Sequence, residues 1–80
     1  MDWKDHIYSD PEILGGKPVF RGTRYSVERV LKLVGAGWTV EQIGEEYEGI
    51  LPVHVQAAAA FAAGLMEDER YVAIHQARAA

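Results

Sequence analysis

Apolar residues Val27, Val30, Leu31 and Val34 recur at i, i+3, i+4 and i+7, the spacing that lays one apolar stripe along a helix. Ser26 stands where an N-cap belongs, and Glu28 suits the positive end of the helix dipole. Arg29 and Lys32 fall on the other side. Gly35 and Gly37 are predicted to end this helix, Gly37 being the better left-handed terminator. Thr39-Val40-Glu41-Gln42 reads as a capping box that starts a second helix, with Val40, Ile43 and Tyr47 on its apolar face. Gly44 leaves room for another element, Glu45, Glu46 and Glu48 point outward, and Gly49 stops the helix. Pro52 suits the first position of a third helix running from Val53 to about Met66. Alanines dominate it, and alanine is the best helix former. A stripe of Val55, Ala58, Ala59, Ala62 and Leu65 is predicted to lie close against the neighbouring helices.

The rest of the chain reads as extended. Ile7-Tyr8 before Ser9-Asp10-Pro11, then Pro18-Val19-Phe20 and Thr23-Arg24-Tyr25 on either side of Gly22, are candidate short strands. Tyr71-Val72-Ala73-Ile74 is a candidate last strand or docking tail, and residues 76–80 are expected to fray. The pattern predicts one mainly α domain. It has an arm with short strands over residues 1–25, a three-helix core over 26–66 and a C-terminal tail over 67–80. The second and third helices, joined by a short break, have the proportions of a helix-turn-helix. Tri-helical bundles that never touch DNA share that layout.

Size changes the picture first. Eighty residues bury only about 60–65% of the unfolded surface, so stability is marginal. There is no cysteine to supply a disulfide or a thiolate metal site. Oligomerisation, most simply a homodimer, is the expected extra source of stability. No run approaches a membrane span, and the first residues lack the pattern of a signal peptide, so a cytoplasmic protein is expected.

The net charge of −4 argues against broad non-specific binding to nucleic acid, but its distribution is uneven. Residues 15–35 hold Lys17, Arg21, Arg24, Arg29 and Lys32 against Glu28 alone. Residues 38–80 hold Arg70 and Arg78 against Glu41, Glu45, Glu46, Glu48, Glu67, Asp68 and Glu69. The five basic residues of the front are the candidate contacts to nucleic acid or to an acidic partner. Solvated surface charge is the competing explanation.

Gly15-Gly16-Lys17-Pro18-Val19-Phe20-Arg21-Gly22-Thr23-Arg24 combines backbone-shaping residues with positive charge. A Walker loop fails on spacing, because Pro11 and Pro18 stand where that motif needs Gly and Ser or Thr. A structural turn is the simpler reading, with a looser anion-cradling turn as its alternative. His6, His54 and His75 show no helical ligand spacing, so neither metal nor cofactor is expected. Ser9, Ser26, Thr23 and Thr39 are explained by caps and turns. Glu41 and Glu45 form a solvated face, and Trp3, Trp38 and the tyrosines read as core or interface anchors. No constellation supports an enzyme. The third helix is a poor reader of bases, offering His54 and Gln56 and then alanines.

Ser9-Asp10-Pro11-Glu12-Ile13, leading into Gly16-Lys17-Pro18-Val19 and Gly22-Thr23-Arg24, resembles the domain of unknown function family 433. Gly37, Glu41-Gln42-Ile43, Tyr47 and Val55-x-Ala57-Ala58 extend the resemblance over about residues 5–66. Gly16, Pro18, Gly22 and Thr23 are the structural part of that motif. The resemblance implies a homeodomain-like three-helix bundle and the antitoxin half of a type II toxin–antitoxin pair, similar to VapB-type proteins. It further implies a PIN-like toxin as partner and the chain's own operator as DNA target. The alternatives are a stand-alone helix-turn-helix regulator and a non-catalytic interaction or dimerisation module. Similar members carry a Thr cap and acidic residues before the third helix. Leu51, Val53 and His54 stand there in this chain, so that cap is expected to be lost.

Overall fold

A computed structural model describes residues 2–68 of the chain. Two short strands, β1 (Ile7–Tyr8) and β2 (Val19–Phe20), pair antiparallel, with Ile7 opposite Phe20 and Tyr8 opposite Val19. Three helices follow: α1 (Val27–Gly35), α2 (Val40–Glu46) and α3 (Pro52–Asp68). The mainly helical fold expected from the periodicities is present. The candidate strand and tail beyond residue 68 lie outside the described residues. No helix among the described residues is long and apolar enough to cross a membrane.

The arm is folded onto the core. Ile7, Phe20, Val27, Val30, Ile43, Ile50, Ala57 and Ala58 form one buried cluster, and Trp3, Tyr25, Trp38, Tyr47 and Phe61 pack around it. Trp3 meets Phe61 edge to face at 4.8 Å, and Tyr25 meets Tyr47 at 5.3 Å. The aromatic residues therefore pin the irregular N-terminal segment to α3 and close the space beside α2, using the T-shaped geometry that ring quadrupoles favour. Thr23–Tyr25 forms no strand. The chain instead turns through Gly22, whose φ of 81° only glycine adopts freely. The Phe20 amide then donates to the Tyr25 carbonyl at 3.2 Å.

The helix ends follow the local signals. Ser26 Oγ accepts from the Arg29 amide, and Thr39 and Gln42 make both bonds of the capping box. At the end of α1 the Trp38 amide donates to the Leu33 carbonyl and the Gly37 amide to the Val34 carbonyl, with Gly37 at φ 97°. This is the Schellman pattern, and it turns the chain sharply into α2. A Cβ on Gly44 would sit 3.3 Å from the Ile50 carbonyl oxygen, so the loop after α2 runs tightly over that glycine.

Helix α3 differs from expectation in two ways. Its buried side is Ala57 and Ala58, with Val55 and Phe61 packed beside them; Ala59 is exposed and Leu65 is 53% exposed. The predicted stripe is thus rotated, because alanines on every side give the helix no phase of their own. Its start is also not left without a side-chain partner. The Leu51 amide donates to His54 Nδ1 at 2.8 Å. His54 thereby supplies the returning half of a capping box that Gln or Glu normally provides.

That bond requires neutral His54. Burial first, and the nearby His6 second, hold its pKa below the ordinary 6.5. A depressed histidine stabilises the fold fully above the unfolded pKa, and that contribution is lost as pH falls through the folded one. Thermal stability is expected to fall as the pH drops below the ordinary histidine range. His54→Ala should cost about 1–2 kcal/mol at neutral pH through the lost cap and packing, and should flatten that pH dependence. Melting curves of both proteins across this range check it; an unchanged slope in the variant would remove His54 from the account.

Candidate nucleic-acid interface

The segment from Gly15 to Arg24 is built by its own hydrogen bonds. Leu14, Gly15 and Gly16 all take positive φ, at 50°, 66° and 90°. The Gly16 and Lys17 amides donate to the Ile13 and Leu14 carbonyls. Those two N–H groups are spent inside the turn, which weighs against an anion cradle there and favours the structural turn. Pro18 enters β2 and its carbonyl accepts from the Val27 amide at 3.0 Å, tying the arm to the start of α1. Thr23 Oγ1 donates to the Phe20 carbonyl at 2.9 Å and accepts from the Tyr25 amide at 3.1 Å. Gly16, Pro18, Gly22 and Thr23 thus hold the path that carries the basic residues.

That path brings four of the five basic candidates together. One open cleft of about 380 Å³ is lined by Lys17, Ser26, Glu28, Arg29, Lys32 and Leu33. A second, of about 560 Å³, is lined by Lys17, Arg24, Arg29, Tyr25 and Tyr47 among others. They share Lys17, Ser26 and Arg29, so they form one continuous surface around the N-terminal half of α1. Arg21 is not part of it. Its guanidinium lies 4.9 Å from the Tyr8 ring centre, a cation–π contact, and its amide bonds the His6 carbonyl. Tyr25 and Tyr47, expected only as core or interface anchors, line the second cleft beside these basic residues. Aromatic residues interleaved with basic ones were the available signal.

Glu28 modulates the surface. Lys17 Nζ lies 3.0 Å from one of its carboxylate oxygens and Lys32 Nζ 3.2 Å from the other. The hydrogen bond from Lys17, then that from Lys32, holds the Glu28 carboxyl below its ordinary range. All three side chains are at least half exposed, so these pairs add little stability. Their effect is to orient the lysines. Among the described residues, no ion pair engages Arg24 or Arg29, and both are exposed. Glu45 and Glu46 of α2 line a different hollow with Trp38 and Gln42, whereas Glu48, just beyond α2, shares a third hollow with Arg24.

The pair α2 and α3, joined through residues 47–51, has helix-turn-helix proportions, but the start of α3 carries no basic side chain. His54 is engaged at the helix start and leaves Gln56 as the exposed polar residue of that region. Base-edge readout from α3 has little to work with. Phosphate contact from the arm and α1 has more. His6 and His54 do approach, with ring centres 6.0 Å apart. No cluster of three or more His, Asp or Glu side chains placed to hold a metal occurs among the described residues. A further groove of about 460 Å³ between α1 and α3 is almost wholly apolar, walled by Pro18, Val27, Leu31, Phe61 and Leu65 and edged by Glu28 and Lys32.

A relative from Sinorhizobium fredii (strain NBRC 101917 / NGR234), described as "Uncharacterized protein y4eO", is 37% identical over 59 residues, or 74% of this chain. The chain spans 27% of that relative's length. No solved structure matches the chain significantly. The sequence profile of the family described as "Protein of unknown function (DUF433)" matches residues 7–62, from β1 to the middle of α3. With more than half of its residues matched, the chain belongs to the DUF433 family.

Proposed function

We propose that this chain is an antitoxin-like, non-catalytic regulatory domain. In this reading it grips DNA phosphates with the surface formed by Lys17, Arg24, Arg29 and Lys32, and acts as a homodimer in the cytoplasm. A PIN-like toxin is its protein partner, and its own operator is its DNA target. The carrying observation is the convergence of those four side chains on clefts that share Lys17, Ser26 and Arg29, while Glu45 and Glu46 of α2 line a different hollow. Such segregation lets an acidic protein present a locally positive surface, and phosphate contacts set position on a duplex without base reading. Sequence preference then comes from DNA shape and from the few polar groups within reach.

Co-expression with the product of the neighbouring gene tests the reading. That product is expected to arrest growth alone, to be neutralised by this chain and to co-purify with it. A neighbour neither toxic nor bound would sink the antitoxin assignment while leaving DNA binding to be decided separately. The apolar groove between α1 and α3 favours a second reading, a module that binds protein alone. Unimpaired partner capture with no DNA binding at low salt would select it.

A further inference from the structure

Helix α3 is apolar nearly all round, although only one side of it is covered. From Pro52 to Met66 it carries no Asp, Glu, Lys or Arg. Its covered side meets the core through Ala57, Ala58 and Phe61. The opposite side presents Gln56, Ala59, Ala63 and Met66, all exposed, with Met66 at 63%. These positions follow at intervals of three, four and three and form one outward stripe. Leu51, 57% exposed, stands immediately before the helix. A solvent-facing helix side normally carries charge; a helix apolar on all sides is normally buried on all sides.

The charges at the ends of α3 say what covers it. The first turn holds no acidic residue and the last turn no basic one. The exposed acid Glu67 comes instead in the last described turn, toward the helix's own negative pole. A helix running the other way alongside would correct both faults. Its N-terminus would meet Glu67, an acid in its own last turn would meet the acid-free first turn, and the two dipoles would oppose. A second copy of α3 supplies these charges in the required order.

We propose that α3 is the homodimer interface, with two copies crossing antiparallel about a twofold axis near the middle of the stripe. Ala59 of one copy then faces Ala63 of the other, and Gln56 faces Met66. Glu67 reaches the first turns of the other copy's helix. The alanines at the crossing allow close approach of the two axes. One helix pair buries less than a standard interface, so association depends on concentration. The proposal rests on the homodimer in the functional reading and not on the DNA contact, whose residues lie on the arm and α1.

Light scattering on the full chain at high micromolar concentration should give twice the monomer mass. Ala63→Glu with Met66→Glu, both at exposed positions, should halve that mass while leaving the circular dichroism spectrum intact. The absence of cysteine allows a second test, independent of these variants. A mixture of Gln56→Cys and Met66→Cys chains should cross-link into mixed dimers on mild oxidation, and each alone should not. A monomeric wild type would overturn both the interface and the homodimer. A dimer that survives the double substitution, or fails to cross-link from the mixture, would overturn the interface and leave the homodimer standing. Cross-linking by each variant alone would overturn the antiparallel arrangement.

Discussion

Phe20→Ala is expected to unfold most of the protein at room temperature. Phe20 is fully buried and belongs to the central cluster. It stands opposite Ile7 in the strand pair and meets the His54 ring edge to face at 5.3 Å. One side chain therefore joins the arm, the core and the start of α3. Truncating a buried Phe costs about 3–5 kcal/mol. At about 0.05–0.15 kcal/mol per residue, a domain of this size has roughly 4–12 kcal/mol in total, and small domains sit near the lower end. Phe20→Leu keeps most of the volume and should cost about 1 kcal/mol, so it should melt cooperatively at a modestly lower temperature. Thermal denaturation followed by circular dichroism separates the two. A cooperative transition in Phe20→Ala within a few degrees of the wild type would mean that the arm is not part of the folding core.

Combined Arg24→Glu and Arg29→Glu should cut DNA affinity by at least about tenfold at low salt and shallow the salt dependence by about two contacts, with little change in melting temperature. Neither arginine has an ion-pair partner among the described residues, and both line the clefts beside α1. Replacing them leaves no buried charge unpaired, and glutamate in the first turn of α1 suits the helix dipole. Arg21→Glu is the internal comparison. Its charge stands over Tyr8, outside both clefts, so its effect should be several-fold smaller. Anisotropy titrations with labelled duplex compare the three proteins directly. Because Arg21→Glu changes the net charge half as much as the pair does, a loss half that of the pair in log units would mean that only net charge matters and that the surface has no geometry.

Features that depend on a few neighbouring residues were legible in the sequence. Ser26, Thr39 with Gln42, and Gly37 act within one helical turn, and each does so in the structure as local rules predict. The valine spacing of α1 gave its buried side in part: Val27 and Val30 are buried and Leu31 packs against the core, but Val34 is 42% exposed and Leu33 packs in its stead. Long-range placement was not legible. Tyr8 pairs with Val19, across eleven residues, a partnership that the candidate strands did not specify. Alanines gave α3 no phase, so its covered side was misread. His54 was absent from the predicted caps because its acceptor nitrogen replaces a more familiar Gln or Glu. For the candidate site, the charge run located all five basic residues, but only the fold separates Arg21 from the others. The turn from Phe20 to Thr23 sends Arg21 toward Tyr8 and Arg24 toward α1.

The central claim is that an acidic chain carries a phosphate-binding surface on its arm and first helix. The most direct measurement is the affinity of the wild-type chain for duplex DNA from its own upstream region across a salt series. The account predicts binding at low salt and a log–log slope near −3 to −4 per chain, the value for about four phosphate contacts from Lys17, Arg24, Arg29 and Lys32. No binding at low salt, or binding whose strength does not change with salt, would contradict it.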